Sequence, residues 1–169
     1  MPSKSKLYYY WDSCVFISYL NDNLDRVPSI QAIWEDAQNH RNTEIITSAL
    51  SIAEVVMSNE EKDSGTLDPN VDIQIQDFWY SWGVKIVDIN PVILHEARDL
   101  MRRAVAAGIT GLKPPDAIHL ATASWVDKNL GLLKEVHTYD DKWSGKYHTL
   151  LDGLSICEPS EPKPTIDTD

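Results

Sequence analysis

The chain has few cysteines, no excess of basic residues and no apolar run long enough to cross a membrane. Its cysteines, Cys14 and Cys157, lie inside apolar segments near opposite ends of the sequence, so no disulfide framework is expected. The N-terminal region lacks the basic flank and apolar stretch of a secretory signal. These absences predict a cytoplasmic protein in reducing surroundings, with no membrane segment.

Acidic residues outnumber basic ones by 26 to 15, which gives a formal net charge of -11. Such a balance counts against a protein that wraps nucleic acid with a broad basic face. Several of the acids lie in the C-terminal segment, and acids that bind cations would be neutralised. The charge therefore argues against long nucleic-acid substrates more strongly than against short ones.

The length of 169 residues predicts a single domain, because it is close to the common size of one folded unit. Residues beyond Glu158 are rich in proline and charge and contain few residues that could form a core. We therefore predict a folded domain over residues 1–158 and a disordered acidic tail over residues 159–169.

Short apolar segments alternate with segments of helical periodicity along the chain. Strands are predicted at 7–11, 43–47, 84–89, 135–138 and 154–157, and helices at 13–21, 29–39, 71–82, 91–107 and 116–129, with another helix from Ser48 onward. That last helix should bury Leu50, Ala53, Val56 and Met57, whereas 58–70 reads as a mobile loop. The alternation predicts an α/β fold, a three-layer α/β/α sandwich around a mostly parallel sheet of about five strands.

Four acids stand where an apolar segment meets a polar turn: Asp12, Glu54, Asp116 and Asp140. The carboxyl ends of parallel strands share one edge of a sheet, so these side chains should meet there. Carboxylate oxygens are the preferred ligands of Mg²⁺ and Mn²⁺. The pattern predicts a metal-dependent phosphodiesterase in which the acids bind one or two ions and water is the nucleophile.

Each acid also has a purely structural interpretation. Asp12 could cap a helix, Glu54 could complete a capping box with Ser51, Asp116 could favour a helix N-terminus, and Asp140 could form an Asx turn. The neighbouring Asp141 could replace Asp140 as a ligand. The coincidence of all four at one sheet edge favours the metal site.

The motifs around these acids resemble the PIN-domain nucleases, in particular VapC-like toxins of toxin–antitoxin pairs. The resemblance is carried by Asp12-Ser13 after a strand, Glu54 after Thr47-Ser48, Asp116-Ala117 with Ala121-Thr122-Ala123, and Thr138, Asp140 and Trp143. It covers residues from about 7 to 157. Trp143 stands where phenylalanine is more usual in that family, which should alter packing rather than chemistry.

The resemblance implies an endoribonuclease that uses Mg²⁺ or Mn²⁺, with Asp12, Glu54, Asp116 and Asp140 as its catalytic metal ligands. It also implies an RNA substrate, a homodimer and, for a toxin, an antitoxin protein that blocks the acidic pocket. None of these properties follows from periodicity.

Two other functions remain open from the sequence. A haloacid-dehalogenase-like phosphatase would place Asp12, Ser48 and Asp140 similarly, but it needs an acid two residues after its nucleophile, where this chain has Cys14. A PIN-like binding module with little catalysis is the second alternative, although all four acids are present.

Several further residues have two interpretations. Lys113, just before Asp116, is the best candidate to guide phosphate, and Arg98 and Arg102 share a helix face that could do so too. Arg103 is more simply a surface residue that pairs with an acid. His119 could shuttle protons, but a packed histidine with one satisfied nitrogen is the favoured interpretation. Ser13 and Ser48 could orient the acids or cap helices.

Overall fold

The five strands form one parallel sheet in the computed structural model, which describes residues 6–162. The strand order is β3-β2-β1-β4-β5, so β1 is central. The strands are β1 Leu7–Trp11, β2 Thr43–Ser48, β3 Lys85–Val87, β4 Leu132–His137 and β5 Ile156–Cys157. The predicted α/β class and five-stranded parallel sheet are confirmed.

Eight helices connect and cover the strands in the described part of the chain. They are α1 Ser13–Leu20, α2 Val27–Asn39, α3 Leu50–Glu54, α4 Asn59–Ser64, α5 Pro69–Tyr80, α6 Pro91–Ala106, α7 Pro114–Asn129 and α8 Asp141–Gly145. A 3₁₀ turn at Tyr147–Leu150 follows α8. No helix within residues 6–162 is long and apolar enough to cross a membrane.

The alternation of side chains along β1 divides the core into two layers. Tyr8 and Tyr10 pack on one face with residues of α6, α7 and α8, whereas Tyr9 and Trp11 pack on the other with α1, α2 and α5. A strand covered on both faces is buried throughout, which explains the unbroken aromatic sequence of β1. The three-layer prediction is therefore correct.

Helix α7 is buried over most of its length because it lies between the sheet and α6. Its small residues Ala117, Ala121 and Ala123 are fully buried, which allows the helix to lie close to its neighbours. Pro114 and Pro115 begin the helix, as their fixed φ angle favours. Since α7 returns antiparallel to the strands, its N-terminus lies at their carboxyl edge.

Two predictions about the segment after β2 are wrong. Helix α3 ends at Glu54, and Val56 and Met57 are 57% and 37% exposed, so the predicted inward stripe does not form. Residues 58–70 are not a loop, because Ser58 and Glu61 form a capping box that starts α4. Gly65 ends α4 in a left-handed conformation, with φ of 68°.

The predicted boundary at residue 158 falls just after β5. Residues 159–162 form neither helix nor strand, but Pro159 is buried. The rest of the predicted tail, residues 163–169, lies outside the described residues.

Candidate metal centre

The structure places the four predicted acids at the carboxyl edge of the sheet. Asp12 directly follows β1, and Glu54 ends α3 just after β2. Asp116 lies in the first turn of α7, and Asp140 follows β4 as the N-cap of α8. Residues more than a hundred positions apart in sequence therefore share one site, as parallel topology requires.

Asp12 is nearly buried, at 6% exposure, and both of its oxygens are held by donors. Oδ1 accepts the backbone N–H of Ser13 at 2.8 Å, so Asp12 caps α1. Oδ2 accepts the Thr138 hydroxyl at 2.9 Å and the Cys14 thiol at 3.0 Å. The capping interpretation is correct, and the contacts that cap the helix also fix the carboxylate in the cleft.

Glu54 is positioned by His119. Nε2 of His119 lies 2.7 Å from Oε2 of Glu54 and 3.6 Å from Oδ1 of Asp12. Burial raises the pKa of Glu54, but the hydrogen bond from His119 opposes burial, and the pKa lies below its ordinary value. The alternative capping box with Ser51 is absent, since the Ser51 hydroxyl bonds to Thr47 Oγ1 at 2.7 Å.

The hydrogen bond at Nδ1 of His119 determines whether Nε2 carries a proton. Nδ1 lies 2.7 Å from the Tyr10 hydroxyl, which can donate to it. Nε2 faces the ionised Glu54, and two lone pairs would repel, so Nε2 must carry a proton. His119 is therefore a hydrogen-bond donor to Glu54 rather than a metal ligand, although it clusters with Asp12 and Glu54 within 4.8 Å.

Asp116 lies in the electrostatic field of the other acids. Burial raises its pKa, and the charges of Asp12 and Asp140 raise it further, while Trp143 and His119 partly oppose the shift. A bound cation would offset the negative charges of Asp12 and Asp140 that act on Asp116. The adjacent Asp141 is exposed, whereas Asp140 is half-buried and accepts the backbone N–H of Lys142 at 3.0 Å.

The donor chemistry of this cleft fits a hard divalent cation. Its acidic side chains offer carboxylate oxygens, and no thiolate is available because burial raises the pKa of Cys14 well above its usual range. Asp12 and Glu54 are held in place by neutral donors, as outer-shell groups hold metal ligands. The residues present therefore fit Mg²⁺ or Mn²⁺.

Some of the further residues considered in the sequence contact the acidic site, and others lie elsewhere. His119 is buried with a satisfied nitrogen, as the favoured sequence interpretation has it, and its other nitrogen contacts Glu54. Thr138 donates to Asp12, a contact that its motif did not predict. The signal for His119 was its spacing of one helical turn from Asp116. Arg103 pairs with Glu96 at 3.1 Å, as predicted, and Arg98 pairs with Asp99 at 3.2 Å.

A second cluster, Glu135, His137 and Cys157, lies on β4 and β5 within 4.8 Å. Trp11 Nε1–H donates to His137 Nδ1 at 3.1 Å, so the proton of a neutral ring is on Nε2, which donates to Glu135 at 2.8 Å. Neither ring nitrogen then has a free lone pair for a metal. Burial and the charge of Glu135 raise the pKa of Cys157 to about 11, so its thiol is neutral. This cluster is a hydrogen-bonded part of the core.

Comparison with known families identifies the family of this chain. The PIN domain family model matches residues 9–147. The chain belongs to the PIN-domain family. This match spans Asp12, Glu54, Asp116 and Asp140, and it confirms the resemblance drawn from their motifs.

Solved structures share the fold at low identity. VapBC2 of Rickettsia felis bound to promoter DNA matches with TM-score 0.59 and 14% identity, over 89% of this chain and 98% of that one. DNA-bound VapBC of Salmonella typhimurium matches with TM-score 0.60 and 12% identity, over 90% and 98%. A toxin–antitoxin complex of Klebsiella pneumoniae matches with TM-score 0.54 and 19% identity, over 91% and 99%. A search of curated protein sequences finds no match.

Proposed function

We propose that this PIN-domain protein is an endoribonuclease that depends on Mg²⁺ or Mn²⁺ and is the toxin of a toxin–antitoxin pair. The observation that carries the proposal is the convergence of Asp12, Glu54, Asp116 and Asp140 at one sheet edge, with His119 and Thr138 holding two of them. The PIN family match makes nuclease chemistry the natural use of this site.

The proposed roles follow from the contacts of each side chain. Asp12, Glu54, Asp116 and Asp140 hold the ion through carboxylate oxygens. His119 and Thr138 donate hydrogen bonds that keep Glu54 and Asp12 oriented toward it. A bound divalent ion would supply an activated water and neutralise charge on the phosphate. No nucleophilic side chain is needed.

The phosphatase alternative is weakened by the environment of Asp12. The thiol of Cys14 donates to Oδ2 of Asp12 at 3.0 Å, and burial raises its pKa well above the usual range, so Cys14 cannot serve as an acid–base group there. Cys14 also occupies the position of that family's second acid. Activity toward p-nitrophenyl phosphate that survives Asp116→Asn would revive this alternative.

The decisive experiment is cleavage of fluorescently labelled RNA, single-stranded and hairpin, with Mg²⁺ or Mn²⁺ and with EDTA. We expect cleavage only with metal, and its loss in Asp12→Asn and Asp116→Asn variants of unchanged circular dichroism. Isothermal titration with Mn²⁺ should show binding that both variants lose. A protein that neither binds Mn²⁺ nor cuts RNA would be a binding module instead.

The proposed partners have separate tests. The structural neighbours include VapBC toxin–antitoxin complexes, which motivates an antitoxin partner for this chain. Co-expression with a small DNA-binding protein encoded beside it should relieve growth arrest caused by the wild type. Light scattering of the purified chain should give twice its mass of 19.1 kDa if the implied homodimer forms.

A further inference from the structure

The turn after β4 connects two of the acids in the cleft. Thr138 donates its hydroxyl hydrogen to Oδ2 of Asp12 at 2.9 Å, and the same hydroxyl oxygen accepts the backbone N–H of Asp140 at 3.0 Å. One side chain therefore joins two acids that follow different strands. The placement of both acids depends on the conformation of residues 138–140.

Tyr139, the middle residue of this turn, is held through its backbone and its ring. Its backbone N–H donates to Sγ of Cys14 at 3.2 Å, and the Cys14 thiol donates to Oδ2 of Asp12 at 3.0 Å. The ring packs against the core layer formed with α1, α2 and α5. The hydroxyl oxygen is buried without a hydrogen-bond partner within residues 6–162, so contacts of the ring must hold the side chain.

Arg26 covers one face of the Tyr139 ring. Its guanidinium carbon lies 4.0 Å from the ring centroid, which is within the range of a cation–π contact. Nη1 of Arg26 also donates to the hydroxyl of Ser18 at 2.9 Å. Ser18 is buried on α1, and Arg26 immediately precedes α2. One side chain thus links these two helices to the turn of the acidic cleft.

Arg26 differs from other arginines of this chain in its partners. Arg98 and Arg103 pair with acids, whereas Arg26 makes no salt bridge with an acid among the described residues. Its partners are an aromatic face and a neutral hydroxyl, although the chain carries a net charge of -11. An arginine that paired with a carboxylate of the cleft would compete with a cation for it. A stacked arginine can hold the turn and leave the acids available.

We propose that Arg26 and Tyr139 are positioning residues: the stacked guanidinium holds the ring, and the ring holds the turn that places Thr138 and Asp140 in the cleft. The inference rests on the proposed metal-dependent function. In this role neither residue touches the ion or the substrate. They restrict the turn before the ion binds, so less conformational entropy is lost on binding.

The first test is Mn²⁺ affinity, measured by titration calorimetry on variants of unchanged circular dichroism. Tyr139→Leu removes the ring, and Arg26→Gln removes the cation but keeps a polar side chain. We expect each variant to bind Mn²⁺ about 2- to 30-fold more weakly, the factor that corresponds to the loss of an ordinary cation–π contact.

Three variants are controls for this loss. Tyr139→Phe keeps the stacked ring and should bind Mn²⁺ like the wild type. Arg26→Lys keeps a cation near the ring and should retain part of the affinity. Lys134→Gln removes the cation that lies 5.0 Å from the centroid of the Tyr9 ring, within β4 rather than in the turn after it, and should keep the wild-type affinity.

A second readout needs neither ion nor RNA. In the metal-free protein we expect the backbone amides of Tyr139 and Asp140 to exchange with solvent faster in Arg26→Gln, because the turn then holds their hydrogen bonds less well. The amide of Val136, which is bonded inside the sheet, should exchange at the wild-type rate. A general loss of stability would accelerate all three.

Kinetics separates positioning from RNA binding. A positioning role predicts that Arg26→Gln lowers kcat and leaves the KM for RNA near that of the wild type. A guanidinium that instead bound a phosphate of the RNA would give a raised KM with wild-type Mn²⁺ affinity and wild-type amide exchange. That combination would overturn the positioning role.

The remaining outcomes separate this inference from the proposed function. Wild-type Mn²⁺ affinity and amide exchange in both Arg26→Gln and Tyr139→Leu, or an equal loss of affinity in Lys134→Gln, would overturn the positioning role while leaving the nuclease function intact. A wild-type protein that binds no Mn²⁺ and cuts no RNA would refute the function. Amide exchange would then still decide whether the stacked arginine holds the turn.

Discussion

Nε2 of His119 donates to Oε2 of Glu54 across 2.7 Å, and this bond connects the middle of the acidic cleft to the end of α3. The histidine is 1% exposed and is itself held by the Tyr10 hydroxyl through Nδ1. A short helix of five residues thus has its last side chain fixed by a residue of the long, buried α7.

Replacing His119 by Gln should weaken the metal centre. Without the histidine donor the pKa of Glu54 should rise, since burial alone raises it. We expect Mn²⁺ affinity to fall by about 10- to 100-fold, measured by titration calorimetry. Tyr10→Phe should cause a smaller loss, because it frees the histidine ring without removing it. His148→Gln, on an exposed surface, is the control. Equal affinity in all three variants would show that His119 is only a packed residue.

Asp116→Asn should stabilise the metal-free protein at neutral pH. The raised pKa of Asp116 means that the folded state holds its proton more tightly than the unfolded chain. The stability that this proton provides is present below the ordinary carboxyl pKa of about 4 and is lost as pH rises through the raised value. We therefore expect a higher Tm for the variant than for wild type at pH 7 in EDTA, and no difference near pH 3. Added Mg²⁺ should raise the Tm of wild type more than that of the variant. A lower Tm for the variant at pH 7 would contradict this sign.

Glu61 should stabilise the segment between α3 and α5, although it lies in a polar stretch of the sequence. It is 6% exposed, and its two oxygens accept the backbone N–H groups of Ser58 at 2.9 Å and Asp68 at 2.7 Å. Glu61→Ala leaves both donors unpaired, so we expect a loss of about 2–4 kcal/mol in the free energy of unfolding by urea denaturation. Ser58→Ala should cost about 1 kcal/mol as a lost N-cap. The exposed neighbour Glu60→Ala should change stability little, and a similar effect at both glutamates would refute the cap.

Gly131 should not tolerate a side chain. A Cβ atom there would lie 2.8 Å from the backbone oxygen of Lys6 and 3.0 Å from the Tyr8 ring, so β1 or the ring would have to move. We expect Gly131→Ala to lower the free energy of unfolding by about 1–3 kcal/mol. Gly145, in α8, has no atom within 4 Å of such a Cβ, and Gly145→Ala should be neutral or stabilising. Similar urea midpoints for the two variants would contradict the packing at Gly131.

The sequence predicts the buried elements of this fold well because burial leaves a clear pattern. The unbroken aromatic run of β1 and the apolar stripe of α6 each have one interpretation. Helix α4 escaped prediction because Ser58 and Glu61, which cap it, lie among charged and turn residues that also describe loops. The polar composition of the segment does not reveal that these two side chains bond to backbone N–H groups.

The acids of the site could be predicted from the sequence, but the residues that position them could not. The acids could be found because each follows a strand or opens a helix, and parallel topology then brings them together. The roles of Thr138, Tyr10 and His119 could not be assigned, because their hydrogen bonds cross 65 to 126 positions of sequence. Only the register of β1 against β4, which pairs Trp11 with His137, places Thr138 beside Asp12.

The outer strands of the sheet have a consequence for assembly. β3 and β5 are only three and two residues long, so each edge offers few backbone N–H and C=O groups for pairing. A second chain, whether a copy of this protein or another polypeptide, therefore cannot extend the sheet by strand addition over a useful length. A partner chain that binds this protein would then contact the side chains of the helical layers rather than the edges of the sheet.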